Sequence, residues 1–227
     1  MSLSRGAWNR LRDVRDSLRA FRSYALKQTF EARALPNFCR GKSGLLLNIG
    51  CGPLTKAGWI NIDYEPKDPN SFYCDVRNGL PLADGSVKHI HTEHFLSYLH
   101  YDEAIDFLRD CSRVLETGET MRIIVPDLER YIRAYAAGDA EFFSALRHLG
   151  GAVKPLTTKA MVCNQTCRLG GAYNFSWDFE SLEQAALGCG FSQVLRSKIN
   201  DTPPNLAIDG QDWWRPFESL YVNLNTA

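Results

Sequence analysis

The residues with the clearest chemical purpose lie in the stretch LLLNIGCGPLTKAGWINIDYEP, positions 45–66. An apolar run, Leu45–Ile49, ends at Gly50-Cys51-Gly52, and a second short run, Ile60–Asp63, ends in an acid. Glycine lowers the steric cost of a sharp turn and of a ligand lying close to the backbone. An acid at the end of the next strand is placed to accept from the two hydroxyls of a ribose. The chemistry this pattern offers is the holding of a nucleotide. Spacing narrows the choice. A dinucleotide fingerprint wants a third glycine three residues after Gly52, where Thr55 stands, and an acid about 20 residues onward. Asp63 comes eleven residues after Gly52, and no Gly-x-x-x-x-Gly-Lys-Ser/Thr phosphate loop occurs. The intervening segment is expected to be a stubby helix, opened by Pro53 and closed by Gly58.

A second cluster is HIHTEH, positions 89–94. Three imidazoles could hold zinc. His89 and His91 share one face of a strand, which favours packed or surface histidines, and no metal is expected. Cys163 and Cys167 are four apart, yet no histidine or further cysteine stands at metal spacing.

The elements that must position these residues follow from periodicity. Apolar runs predict strands at Leu45–Ile49, Ile60–Asp63, 71–75, 87–92, 121–125, 193–199 and 219–223. Helices are predicted over 101–115, with Ala104, Phe107, Leu108 and Leu115 on one side, and over Leu128–Ala137, 140–149 and 178–188. Residues 150–170 read as irregular, with Gly150, Gly151, Pro155 and Gly170. Strands alternating with helices imply a parallel sheet covered by helices. Residues 1–40 read as an N-terminal helical extension, 41–227 as the main domain, and 128–175 as a helical cap inserted into it.

Composition sets the bounds. The chain has 227 residues, and its 26 Lys and Arg balance 26 Asp and Glu, so no global field draws it to nucleic acid or anionic lipid. The seven scattered cysteines fit core thiols in a reducing cytosol, and a cytoplasmic location is expected. No apolar stretch approaches the ~20 residues of a membrane span. Arginines at 5, 10, 12, 15, 19 and 22 interrupt any signal-peptide core. With Trp8, Leu11, Leu18 and Phe21, they make the first 30 residues a basic amphipathic segment. It suits either peripheral membrane contact or a helix packed on the flank, and the flank is favoured.

Farther along, CDVRNGLPLADGSVKHIHTEHFLSYL (74–99) and FLRDCSRVLETGETMRIIVPDL (107–128) complete an order of motifs. That order resembles the class I S-adenosylmethionine-dependent methyltransferases of the type 11 kind. LNIGCG resembles their first motif, NID their ribose acid, DVRNGLPLADGS their adenine-side motif and following loop, and SRVLETGETMRI a helix-to-strand passage of theirs. More narrowly, GWINIDYEP, TEHFLSYL, IVPDLERYI and RPFESLYV resemble a branch often found near polysaccharide or lipopolysaccharide genes.

The resemblance implies a Rossmann-like, doubly wound, seven-stranded, mostly parallel sheet, with S-adenosylmethionine as cofactor and S-adenosylhomocysteine as product. It implies cofactor contacts from Gly50, Cys51, Gly52, Asp63 with Tyr64 beside it, Asp75, the backbone of Val76, and Thr92 and Glu93. Asn48 stands where many relatives have an acid, and is expected to order the loop instead. Methyl transfer to a hydroxyl needs a base. His94, just past a strand's carboxyl end, is the first candidate and Asp127 the second. Tyr173, Trp213 and Trp214 either line an acceptor pocket or sit in the core, with the core favoured. The expected acceptor is an oxygen of a small molecule or glycan, not nucleic acid. The alternatives are a non-catalytic cofactor-binding partner module and, further off, a nucleotide-dependent oxidoreductase.

If the basic N-terminal segment packs on the flank, deleting residues 1–30 lowers the melting temperature, and neither form binds liposomes. Salt-sensitive binding of the intact chain to anionic vesicles, lost on deletion, would establish membrane contact instead.

Overall fold

The computed structural model describes residues 31–147, 156–203 and 205–227, so the segment 1–30 lies outside the described residues. Seven strands form one sheet: β1 (Leu45–Ile49), β2 (Ile60–Asp63), β3 (Ser71–Tyr73), β4 (Val87–Glu93), β5 (Leu115–Pro126), β6 (Gln193–Arg196) and β7 (Ser219–Asn225). Their spatial order is β3-β2-β1-β4-β5-β7-β6. The first five strands run parallel, and β7 is antiparallel to both neighbours, β5 and β6. Strand order reverses between β1 and β4, and in doubly wound sheets ligands bind at that crevice, beyond the strands' carboxyl ends.

The helices are α1 (Ala34–Cys39), α2 (Tyr101–Val114), α3 (Leu128–Ala137), α4 (Ala140–Ala145), α5 (Lys159–Arg168), α6 (Phe179–Gly188) and α7 (Arg215–Glu218). Helix α2 buries Ala104, Phe107, Leu108, Cys111 and Val114, one continuous helical stripe. It packs with Leu182, Ala185 and Ala186 of α6 into the main core, together with Leu47, Ile90, Met121, Ile123 and Val222 from the sheet. Helix α1 joins the same core through Leu35 and Cys39, and the Phe38 ring meets Phe72 at 5.1 Å. Helices α3, α4 and α5 carry a second, smaller core around Tyr131, Phe142, Phe143 and Val162. Among the described residues no helix is long and apolar enough to cross a membrane.

Several boundaries differ from the periodicity. Residues 53–58 form turns, not a stubby helix. The reason lies in two buried amides. Asn48 Nδ2 donates to Leu54 O and to Asn61 Oδ1, and Asn61 in turn bonds both backbone groups of Lys56 and the carbonyl of Trp59. Asn48 thus orders this loop. Strand β5 begins at Leu115, six residues before the apolar run suggests, because Glu119 and Thr120 bond the chain terminus at Thr226 and Asn225. Helix α5 lies in the stretch read as irregular, opened by the Thr158 hydroxyl, which accepts from the Met161 N–H at 3.2 Å.

The two faces of the sheet are unlike. Register aligns Asn61, Asn48, His91, Arg122 and Asn223 in one row across β2, β1, β4, β5 and β7. Residues in register point to the same face. Among the described residues that face is covered by loops: Trp59 sets its ring edge-on to His89 and His91, and residues 197–211 lie over Arg122. Arg122 is fully buried. Its Nε and Nη2 donate to the two carboxylate oxygens of Asp209 at 3.0 and 2.5 Å. Its Nη1 donates to Ser197 Oγ and Asn223 Oδ1, and Nη2 also donates to Lys198 O. All five guanidinium donors are met. Replacing Asp209 by alanine leaves that charge buried and unpaired. The expected loss is about 3–5 kcal/mol in urea unfolding, with residues 197–211 becoming protease-sensitive.

Candidate functional site

The chain leaves β1, β2 and β4 at Gly50, Asp63 and His94, and the departing loops enclose a cavity of about 690 Å³. Gly50 has φ +70°, and a Cβ there would stand 2.5 Å from the Phe95 side chain. The turn therefore requires glycine for its conformation and for its closeness to the β4 loop. Gly50 and Cys51 both donate their N–H groups to Ile62 O, which binds the turn to β2. Gly52 also has positive φ, but a Cβ there would meet nothing within 4 Å. Burial beside Asp63 pushes the Cys51 thiol up to about 11, so it stays protonated.

Asp63 spans two turns. Its Oδ2 accepts from the Gly52 N–H and its Oδ1 from the Glu65 N–H, each at 2.8 Å. Asp75 opens the 3₁₀ turn Val76–Asn78 and is gripped by Arg77, whose Nε and Nη2 reach Oδ1 and Oδ2 at 2.8 and 2.9 Å. That grip holds the Asp75 carboxyl below its usual range. The Arg77 guanidinium lies 5.3 Å over the ring of Tyr64, which is exposed at the rim.

Glu93 ends β4 with both carboxylate oxygens engaged. Oε2 accepts from the Gly210 N–H at 2.9 Å, and Oε1 pairs with Arg215 at 3.0 Å. Burial alone would raise its pKa, but His91, Arg215 and Gly210 outweigh burial and hold it down to about 2. A Cβ on Gly210 would stand 2.5 Å from Oε1, so a larger residue there would require this carboxylate to shift.

His94 follows at φ +51°, a left-handed conformation that a non-glycine residue adopts at a cost of about 1–3 kcal/mol, and such strain collects at functional sites. Its N–H donates to Ile124 O, and its ring stands edge-on to Trp214. Nε2 lies 3.1 Å from Ser219 Oγ and 3.2 Å from Glu218 Oε1. Beyond it is a second cavity, about 190 Å³, lined by Thr166, Tyr173, Trp214, Arg215 and Glu218 among others. His94 is the residue that lines both spaces.

Gly50, Cys51, Gly52, Asp63, Tyr64, Asp75, Val76, Glu93 and His94 therefore line one cavity. Thr92 is buried within β4 and does not line it. Asp127 lines neither cavity; it caps α3, accepting from the Arg130 N–H, and burial raises its carboxyl. Tyr173 and Trp214 line the smaller cavity, while Trp213 is 69% exposed and belongs to neither cavity nor core. His89 and His91 are buried, and burial pushes His89 down to about 4, so that ring stays neutral. Among the described residues no group of three His, Cys, Asp or Glu could hold a metal ion.

Sequence reasoning missed Phe95, Tyr98, His100, Glu103 and Asn174 in the larger cavity's wall. The first four follow β4 directly, and position just past a parallel strand's end is the signal that could have found them. Asn174 carried no local signal. It arrives from the cap by tertiary packing, with its Nδ2 donating to Tyr98 O at 2.6 Å.

No family model and no curated protein matches the chain. Among solved structures it is similar to a chain from the complex between the Haloferax volcanii Trm112 methyltransferase activator and a protein described as a methyltransferase. That match has 14% identity and a TM-score of 0.50, covering 90% of this chain and 92% of the other. An S-adenosylmethionine-dependent methyltransferase from Thermotoga maritima shows 15% identity and a TM-score of 0.48, covering 95% and 97%. One from Archaeoglobus fulgidus shows 15% and 0.48, covering 89% and 94%. At these identities the first match is a likeness of fold, and it agrees with the α/β architecture above.

A carboxyl held below its unfolded value stabilises the fold above that value and loses the contribution as pH falls through the folded one. For Glu93 the window runs from its ordinary 4.5 down to about 2. Glu93→Gln should cost up to roughly 3 kcal/mol at neutral pH. The two stability curves, followed by urea unfolding, should converge as pH approaches about 2.

Proposed function

We propose that the protein transfers a methyl group from S-adenosylmethionine to an oxygen of a small molecule or glycan. The observation that carries this reading is the meeting of the glycine turn, Asp63, the Asp75-Val76 corner and His94 around one cavity at the strand-order reversal. The resemblance of LNIGCG, NID and DVRNGLPLADGS to methyltransferase motifs supports it, as does the fold shared with the Haloferax protein described as a methyltransferase. The narrower likeness to the type 11 branch near polysaccharide genes is what favours a glycan or another hydroxylated acceptor.

The donors and acceptors present fit the cofactor. A carboxylate offers about four lone-pair sites. Asp63 uses one on each oxygen for Gly52 and Glu65, and one on each remains for the two hydroxyls of a ribose. Asp75 gives both sites of Oδ1 and one of Oδ2 to Arg77, which leaves one for an adenine amino group. Val76, in the same wall, would offer its backbone, and the open space over Gly52 admits the methionine portion. Glu93 would act at the methionine end through the Gly210 loop that it holds, and Thr92 from one residue behind the wall.

When bound, S-adenosylmethionine supplies an electrophilic methyl on sulfonium sulfur, transferred with the bonding pair left on sulfur. The protein's tasks are then alignment and removal of the acceptor's proton. His94, which lines both cavities, would take it, whereas Asp127 caps a helix and lines neither.

Calorimetric titration with S-adenosylhomocysteine tests the cofactor assignment. The protein should bind it, and Asp63→Ala should weaken binding by about 2 kcal/mol, roughly 30-fold. Unchanged affinity in a folded variant would remove Asp63 from the ribose site. Tight binding of a nicotinamide dinucleotide instead would overturn the reaction class.

A further inference from the structure

We propose that Glu218 and Ser219 are positioning residues that fix the tautomer of His94, leaving Nδ1 as the lone pair that receives the acceptor's proton. The role of that lone pair rests on the function proposed above; the tautomer rests on geometry alone. Ser219 Oγ stands 2.6 Å from Glu218 Oε1. That is the length of a charge-assisted O–H···O⁻ bond. With Glu218 ionised, the serine proton is committed to the carboxylate. Both atoms that face Nε2, Ser219 Oγ at 3.1 Å and Glu218 Oε1 at 3.2 Å, then offer only lone pairs. In a neutral imidazole one nitrogen donates and the other accepts. Nε2 must be the donor, and Nδ1 carries the lone pair.

The carboxylate is built for this task. Glu218 is 1% exposed, and its other oxygen accepts from the Tyr131 hydroxyl at 3.3 Å. Among the described ion pairs its partner is His94 alone, whereas the half-buried Glu93 nearby is paired with Arg215. A buried carboxylate without a cation is costly. The imidazolium that forms when Nδ1 takes a proton supplies that cation in place, so the charge appears where it is compensated. Position follows from the sheet: Ser219 pairs in register with Pro126 at the carboxyl end of β5, beside the end of β4 that carries His94.

This arrangement also selects the acceptor's chemistry. A carboxylate or phosphate oxygen has no proton to lose at neutral pH, and a base held at the wall between the two cavities is wasted on it. A neutral hydroxyl must shed a proton as its oxygen is methylated, so among the oxygen acceptors proposed above the class is an alcohol, phenol or sugar hydroxyl.

The test is nuclear magnetic resonance of the full chain labelled with ¹⁵N-histidine, recorded at about pH 9, above the ordinary imidazole range. The five histidines are sorted by comparison with His94→Gln. The wild type should show His94 with a pyridine-type Nδ1 and a hydrogen-bonded, low-field proton on Nε2. That proton signal should be lost or move strongly upfield in Glu218→Gln. In Ser219→Ala, which keeps the carboxylate, it should persist with a smaller shift. A proton on Nδ1 in the wild type overturns the proposal whether or not either variant folds. An Nε2 proton unmoved by Glu218→Gln overturns the positioning role. S-adenosylhomocysteine affinity, measured on the same samples, should be unchanged in both variants. Failure of the wild type to bind it would refute the cofactor reading while leaving the tautomer result standing.

Discussion

A guanidinium in the middle of a sheet is the constraint from which much of this structure follows. Arg122 cannot leave the interior without breaking β5 out of register, and its charge cannot stay there without an anion and three further acceptor contacts. Those are supplied by Asp209, Ser197, Asn223 and the carbonyl of Lys198. Satisfying one buried side chain thus obliges the segment that follows β6 to fold back across the sheet. Asp209 completes the arrangement by accepting from the Asn200 N–H at 2.6 Å, which closes the segment on itself.

The consequence reaches the site through the residue next to Asp209. With that carboxylate pinned, Gly210 is delivered to Glu93, and Arg215, five residues later, pairs with the same side chain. His91 lies between the two acids, 3.8 Å from Asp209 and 3.6 Å from Glu93. The last turn before β7 is held as a result, and it is this turn that presents Glu218 and Ser219 to His94. A buried charge on β5 and an imidazole at the end of β4 are parts of one hydrogen-bonded path.

The sheet also divides its labour between its faces. One face carries Leu47, Ile90, Met121, Ile123 and Val222 against α2 and α6, where burial of apolar surface drives packing without direction. The other carries Asn48, Asn61, His91, Arg122 and Asn223, where each contact is directional and each group needs a named partner. Polar packing is costly when incomplete and geometrically demanding when complete. A face of that kind holds loops in one arrangement, and both cavities are walled by loops.

The sequence by itself determined where the seven strands lie, within a few residues, and that most of them run parallel. Leu45–Ile49 and Ile60–Asp63 have the expected bounds, α2 shows its stripe, and Gly50 and Asp63 meet at the strand-order reversal, because short-range periodicity and turn chemistry fix these features locally. His94 could be placed just beyond β4 for the same reason. Its partners could not: Glu218 and Ser219 lie 124 and 125 positions away, in RPFESLYV, a stretch that carries the family resemblance and the start of a late strand but nothing that links it to His94. The pairings of Arg122 with Asp209 and of Asn174 with Tyr98 were equally out of reach, as was helix α5, whose weak stripe needs the second core to define it. Those features depend on which distant groups can satisfy a buried charge or an orphaned hydrogen bond. Only the folded chain, with every such group required to find a partner, decides that.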